Sequence, residues 1–230
     1  TSDQFGIIPS LIDGLNLGHI FSLNHDLVLE KFLQNNGLRY HDGFEDTGYK
    51  FPQWTGIKEI NDGLNLLKLH GSVDWFEFGI RNPDRNEIFK LPNTMNPNLA
   101  HRTEPSFVMA TDGTPKLLIG TFNKMLGYLS DIFEMLYDEF KRRLADTNVL
   151  LVSGYGFGDK GINTQLAHWL NYETATKMVI VHPNIEILQA NARGNFHLNI
   201  LNAYGKHHKV EFIEQKFETV TIDDISQVLG

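Results

Sequence analysis

Residues 149–159 read VLLVSGYGFGD, and residues 178–184 read MVIVHPN. Each stretch opens with a short apolar run, typical of a strand buried on both faces, and continues into glycine or polar residues. Between them, Leu166, Trp169 and Leu170 recur at the spacing of one helix face. This order of strand, helix and strand is a βαβ unit. It predicts an α/β protein built on a parallel sheet.

Other segments extend the pattern in both directions. Residues 19–23, 66–70 and 210–213 are predicted strands, and residues 123–144, 185–193 and 222–229 are predicted helices. The fold class that follows is a doubly wound, Rossmann-like α/β domain. We expect one domain over residues 1–230, with a mostly parallel sheet and helices on both faces.

Two segments interrupt this pattern. Residues 36–63 are rich in Gly, Asp, Asn and Thr, which is typical of a loop excursion. Further along, prolines break any regular pattern up to about residue 115; they are Pro83, Pro92, Pro97 and Pro105. We therefore interpret residues 76–116 as an inserted loop or lid.

The composition excludes several classes of protein. There is no cysteine among the 230 residues, so disulfides and thiolate zinc sites are impossible. The ten histidines are scattered without metal-binding spacing, and we expect no metal. No apolar run approaches the roughly 20 residues that span a bilayer. We expect a cytoplasmic protein that does not insert into membranes.

The charge balance disfavours nucleic acids as partners. The formal charge is −8, from 28 acidic and 20 basic residues, whereas binding to phosphate backbones depends on clustered Lys and Arg. The one dense basic cluster, residues 141–143, ends a predicted helix, where cations complement the helix dipole. Direct binding to nucleic acid is therefore not expected.

Polar residues follow four of the predicted strands. In open parallel sheets, ligands bind beyond the carboxyl ends of the strands, so these residues are the candidates for a functional site. The four clusters are residues 24–26, 70–72, 153–159 and 182–184.

Three of these segments, FSLNHD at 21–26, LLKLHGSVDW at 66–75 and SGYGFGD at 153–159, occur in an order that resembles the sirtuin-like family. The likeness is closest to its prokaryotic NAD-consuming branch and covers roughly residues 19–185. The resemblance implies NAD as the substrate, cleaved to nicotinamide and ADP-ribose. It also implies a role in antiviral defence, where NAD depletion halts an infected cell.

The resemblance also implies site residues. Asn24 and His70 match the family's catalytic positions, and Asp26 matches the acidic residue after the asparagine. The residues implied in NAD binding are Asp26, Ser153, Gly154, Tyr155, Gly156, Phe157, Asp159 and Asn184.

The chemistry is compatible with these residue types. Breaking the nicotinamide–ribose bond generates oxocarbenium character, and a base or a positioned water must act at the anomeric carbon. The imidazole of His70 suits the base, since an unperturbed histidine with a pKa of about 6.5 is mostly neutral at cellular pH. The amide of Asn24 can hold the water or a ribose hydroxyl without adding charge.

The sequence departs from the family pattern in two respects. Nothing in residues 1–18 matches the usual Gly-Ala-Gly loop that cradles the pyrophosphate, so either the chain starts downstream of that loop or the function is lost or rebuilt. The four-cysteine zinc module of protein-deacetylating sirtuins is also absent, which ranks deacylation below NAD cleavage.

Alternative interpretations stay open. Asp26 can simply cap the following helix, His70 can be a satisfied buried histidine, and the glycines can make only a tight turn. Other candidate functions are a non-catalytic NAD or ADP-ribose sensor and a Rossmann oxidoreductase that uses Gly156, Gly158 and Gly161. As partners we expect a second copy of the chain or further domains of a larger defence protein.

Overall fold

The computed structural model describes residues 4–58, 63–81, 84–119, 128–129, 131–172, 176–193 and 209–230. It divides into two compact units, one formed by Thr1–Leu17 with Asp138–Gly230 and the other by Gly18–Tyr137. We call them unit 1 and unit 2.

The helices and strands of the described residues follow one another in this order: α1 (Ile8–Leu15), β1 (His19–Ser22), α2 (Val28–Asn35), β2 (Tyr40–His41), β3 (Phe44–Glu45), β4 (Gln53–Trp54), β5 (Leu64–Lys68), β6 (Trp75–Arg81), β7 (Asp84–Lys90), β8 (Phe107–Ala110), α3 (Asp131–Ala145), β9 (Val149–Ser153), α4 (Lys160–Tyr172), β10 (Lys177–Val181), α5 (Ile185–Asn191), β11 (Val210–Ile213) and α6 (Ile222–Leu229).

Unit 1 contains the βαβ unit on which the fold prediction depends. Strand β10 lies between β9 and β11, and both pairs are parallel. Four of the five β10 residues are buried, as expected for a central strand with both faces covered. Helices α1 and α6 supply Leu11 and Ile225 to the core beside Val179 and Val181.

Unit 2 contains a second parallel sheet. Strand β5 lies between β1 and β2, with Ser22 opposite Lys68 at the carboxyl ends. All five β5 residues are buried, including the polar Asn65 and the charged Lys68. The predicted α/β class, with parallel strands and accompanying helices, is confirmed. The parallel pairing occurs in two three-stranded sheets, one in each unit.

Unit 2 also contains a five-stranded antiparallel sheet, in the order β3-β4-β7-β6-β8. The sequence predicts irregular structure here, yet β6 alternates buried Phe78 and Ile80 with partly exposed residues, as a strand with one core face does. Phe107 stacks on Phe78 with ring centroids 4.4 Å apart. Pro92 follows β7 and Pro105 precedes β8, while Pro97 begins a short 3-10 helix between them, Pro97–Arg102. The interpretation of residues 76–116 as an insertion stays a prediction.

The boundaries of two elements differ from prediction. The helix predicted over 123–144 is α3, which begins at Asp131, because residues 128–129 form a turn; residues 120–127 lie outside the described residues. Leu129, expected on its apolar face, is 69% exposed. Strand β5 ends at Lys68, so His70 lies in the turn that follows rather than in the strand.

That turn depends on Gly71. Its φ is +80°, and a Cβ at this position would lie 2.0 Å from the carbonyl oxygen of Lys116. We expect Gly71→Ala to combine two penalties, the left-handed conformation at about 1–2 kcal/mol and forced displacement of packed backbone at about 1–3 kcal/mol more. Urea unfolding measures the sum.

Gly37→Ala is the matched control, because Gly37 has a φ of +66° but open space around its Cβ position. Gly37→Ala should therefore lower the free energy of unfolding only by the cost of the left-handed conformation. Equal losses of stability in the two variants would contradict the close approach at Gly71.

Candidate functional site

The candidate site of unit 2 lies where β1 and β5 end. Because the strands are parallel, their carboxyl ends share one edge of the sheet. Beyond it, the amide of Leu69 donates to the carbonyl of Ser22 at 2.9 Å, and that of Val73 donates to the carbonyl of His25 at 3.0 Å. Segment 22–26, which carries Asn24, and segment 69–73, which carries His70, therefore lie side by side.

His70 is buried at this edge, with 4% of its surface exposed. Its Nε2 lies 2.7 Å from the hydroxyl of Tyr128, which is 2% exposed. The ring of His25 lies on the neighbouring segment, with its centroid 6.1 Å from that of His70, and its Nδ1 lies 3.4 Å from the carbonyl oxygen of Gly71. The imidazole of His70 is therefore shielded from solvent and bonded to the Tyr128 hydroxyl.

Asn24 and Asp26 are exposed on the loop that passes this site. The backbone amide of Asn24 donates to Ser22 Oγ at 3.2 Å, while its side chain makes no hydrogen bond to the described residues. Asp26 Oδ1 accepts from the amide of Val28 at 2.9 Å, an Asx turn that leads into α2, whose N-cap position is Leu27. The Asn24 side chain is thus exposed and makes no hydrogen bond within the described residues, whereas one carboxylate oxygen of Asp26 is engaged by the backbone.

A buried ion pair holds the loop against β5. Lys68 Nζ lies 2.9 Å from Glu30 Oε1, and the two side chains are 3% and 7% exposed. The same ammonium donates to Ser72 Oγ at 3.0 Å and to the backbone carbonyl of Asp26. A charge this deeply buried is tolerated only when it is paired and hydrogen-bonded. Lys68 thus links α2, the Asn24 loop and the His70 turn at one point.

In unit 1, the glycine loop after β9 is braced by its own side chains. The Tyr155 hydroxyl donates to Asn163 Oδ1 at 2.7 Å, and Asp159 Oδ1 accepts from the amides of Gly161 and Ile162 at 2.8 and 3.1 Å, which caps α4. Burial, with a contribution from Asp159, raises the pKa of the Tyr155 hydroxyl, which stays protonated at neutral pH.

Phe157 completes this brace. It is fully buried with a φ of +49°, and its carbonyl accepts from Asn163 Nδ2 at 2.8 Å. By contrast, Gly156 and Gly158 are exposed, neither has a positive φ, and a Cβ at either would meet nothing within 4 Å. Neither the backbone conformation nor packing among the described residues explains these two glycines.

The two remaining predicted binding residues also lie in unit 1. Ser153 is the exposed last residue of β9. Asn184 is exposed, and its side-chain oxygen accepts from the amide of Ile187 at 2.8 Å, which makes it the N-cap of α5. Their roles in NAD binding stay predictions.

Neither metal ligation nor membrane insertion finds positive support in the described ranges. Within them there is no group of three or more His, Asp or Glu side chains that could hold a metal ion. Across the same residues no helix combines the length and apolar character that crossing a bilayer requires.

The fold and this geometry define a class: an α/β protein in which parallel strands end at a buried histidine beside an asparagine-bearing loop. A family model described as a SIR2-like domain matches residues 18–208, and the chain therefore belongs to the SIR2-like family. The sirtuin-like resemblance is confirmed, and SIR2-like domains are generally NAD-dependent enzymes. A comparison with curated proteins finds no significant match.

Sequence reasoning missed two parts of the site. Lys68 carried a usable signal, because a lysine inside an apolar strand requires a buried carboxylate partner, and Glu30 lies on the helix that follows the neighbouring strand. Tyr128 carried no sequence signal that could have indicated its contact with His70. It lies 58 residues after His70 and was included in a predicted helix.

The ion pair yields a stability prediction. Lys68→Met leaves Glu30 buried without its cation, which typically costs about 3–5 kcal/mol. The double variant Lys68→Met/Glu30→Leu removes both charges and should recover much of that loss. Urea unfolding of the three proteins measures the effect.

Lys58→Met is the control, since Lys58 and Glu45 form an exposed pair with side chains 59% and 42% accessible. The loss of unfolding free energy in Lys58→Met should stay below about 1 kcal/mol. If Lys68→Met is no more destabilising than Lys58→Met, the buried pair does not hold the site together.

Proposed function

We propose that this SIR2-like chain hydrolyses NAD to nicotinamide and ADP-ribose, with Asn24 and His70 at the chemical centre. The observation that carries the proposal is the side-by-side arrangement of segments 22–26 and 69–73, which joins an exposed asparagine loop to a buried histidine. Family membership supports NAD as the substrate.

In the proposed reaction, water attacks the anomeric carbon of the nicotinamide ribose. The carbon–nitrogen bond breaks, its electron pair leaves with nicotinamide, and the proton of the water passes to the His70 imidazole. The Asn24 side chain, unpartnered among the described residues, holds the water or a ribose hydroxyl. Both residues act by position and proton transfer, which need neither a cysteine nor a metal.

For the glycine loop we propose that the backbone of Gly154, Gly156 and Gly158 faces the dinucleotide. Tyr155, Phe157 and Asp159 then contribute by holding the loop in shape, since Tyr155 donates to Asn163, Asp159 accepts from Gly161, and the rings of Tyr155 and Phe157 lie 4.7 Å apart. Backbone amides in glycine-rich turns approach phosphate or ribose closely because no Cβ intervenes. We propose Ser153, Asn184 and Asp26 as further contacts of the ligand.

The biological role that the resemblance implies is also a proposal. We infer that NAD depletion serves antiviral defence in the cytoplasm, by a homo-oligomer or as one domain of a larger protein. A catalytically silent NAD or ADP-ribose sensor is the second candidate. It is favoured by one observation, namely that His70 Nε2 is buried and already hydrogen-bonded to Tyr128.

Chromatography of NAD, nicotinamide and NADH after incubation with the purified protein separates these functions. We expect nicotinamide release without NADH. Asn24→Ala and His70→Gln should each lower the rate by at least about 100-fold, the usual contribution of a positioned base or of its substrate contacts. Circular dichroism checks that both variants fold.

His41→Gln is the control for the histidine change, because His41 is exposed on β2. It should keep the full rate. Turnover retained in both Asn24→Ala and His70→Gln would show that the chemical centre lies elsewhere, and intact NAD with measurable binding would favour the sensor.

A separate prediction concerns the glycine loop. Gly156→Ala and Gly158→Ala meet no steric obstacle in the folded chain, so stability should be unchanged or higher by up to about 1 kcal/mol. NAD binding, measured by calorimetry, should weaken, because the new methyl group stands where the ligand approaches.

Gly18→Ala provides the comparison, since Gly18 also has open space and no positive φ but lies before β1. It should bind NAD normally. Unchanged affinity for NAD in both loop variants would show that NAD binding does not require glycine at positions 156 and 158.

A further inference from the structure

The backbone around His70 is fixed on both sides. Leu69 donates to Ser22 before it, the carbonyl of His70 accepts from the amide of Leu118 at 2.9 Å, and Gly71 turns the chain immediately after it. These contacts set where the Cα lies. A side-chain partner that bonds one ring nitrogen also favours one orientation of the imidazole and one tautomer.

Tyr128 is that partner. Its hydroxyl lies 2.7 Å from His70 Nε2, and both residues are at least 96% buried, so water competes little for this hydrogen bond. A neutral tyrosine hydroxyl can donate to a bare ring nitrogen or accept from a protonated one. Only the second arrangement leaves the ring proton on Nε2 and the lone pair on Nδ1, so it is the one in which the imidazole can take up a further proton.

Tyr128 is itself held in place. Its ring stacks on that of Tyr137, with centroids 4.3 Å apart and planes 16° from parallel. Tyr137 lies on the first half of α3, and Phe133 of the same helix lies 3.2 Å from the Cβ position of Gly71. One helical segment therefore supports the tyrosine and packs against the turn that carries the histidine.

We propose that Tyr128 is a positioning residue for His70: its hydroxyl accepts from Nε2–H, which orients the ring and selects the tautomer in which Nδ1 accepts the proton during NAD cleavage. The proposal rests on the proposed function for its catalytic consequence. Its structural half, the control of one imidazole by one hydroxyl, stands apart from that function and is measured separately.

The kinetic test uses Tyr128→Phe, which removes the hydroxyl and keeps the stacked ring. We expect kcat to fall at least about tenfold, a part of the 100- to 10,000-fold effect of general base catalysis, with little change in KM. Tyr49→Phe removes a hydroxyl from a partly buried tyrosine packed on Phe89. As the control, it should leave both constants unchanged.

The spectroscopic test follows the ring nitrogens of His70 by nitrogen-15 correlation NMR, with the His70 signals assigned from their loss in His70→Gln. We expect the Nε2–H tautomer in the unmodified protein and a mixture, or the Nδ1–H tautomer, in Tyr128→Phe. Tyr49→Phe should keep the original pattern.

The outcomes separate the two levels of the proposal. Unchanged nitrogen shifts in Tyr128→Phe overturn it, as does an unchanged or increased kcat; an increase would mean that the hydroxyl blocks the imidazole. If the unmodified protein does not cleave NAD, the proposed function fails, and a tautomer change in Tyr128→Phe would still support the structural half.

Discussion

The buried pair of Lys68 and Glu30 is the constraint on which the site in unit 2 depends. An ammonium with 3% of its side chain exposed must be satisfied inside the protein. Its partners belong to α2, to the loop that carries Asn24 and to the turn that carries His70. The electrostatic requirement of one lysine therefore fixes the relative position of two segments separated by more than forty residues in the chain.

The two units hold their polar candidate residues in different ways. In unit 2, polar side chains carry the proposed chemistry, and His70 and Lys68 are held by buried partners. In unit 1, the conspicuous side chains of the loop, Tyr155 and Asp159, are engaged internally. The glycines between them, Gly156 and Gly158, are exposed and have open space at the Cβ position. The side chains of a sequence motif can therefore hold the loop in shape, and in our proposal the backbone of the loop contacts the ligand.

Sequence patterns predicted most of the parallel strands, because apolar runs such as 149–152 and 178–181 have few alternatives to burial in a sheet. They do not predict the antiparallel strands around Phe78 and Phe107, because the prolines that argue against regular structure there lie between the strands rather than within them. Within the site, His70 was predictable from its place after a strand. Tyr128 was not, because no local pattern reports a contact between residues 58 positions apart.

The most direct test of the account is a crystal structure of the protein with a non-cleavable NAD analogue. We predict that the anomeric carbon of the nicotinamide ribose lies beside His70, within reach of its imidazole through one water, at hydrogen-bond distances of about 2.6–3.2 Å. The Asn24 amide should contact the same ribose or water. A nicotinamide ribose bound away from both side chains would contradict the account.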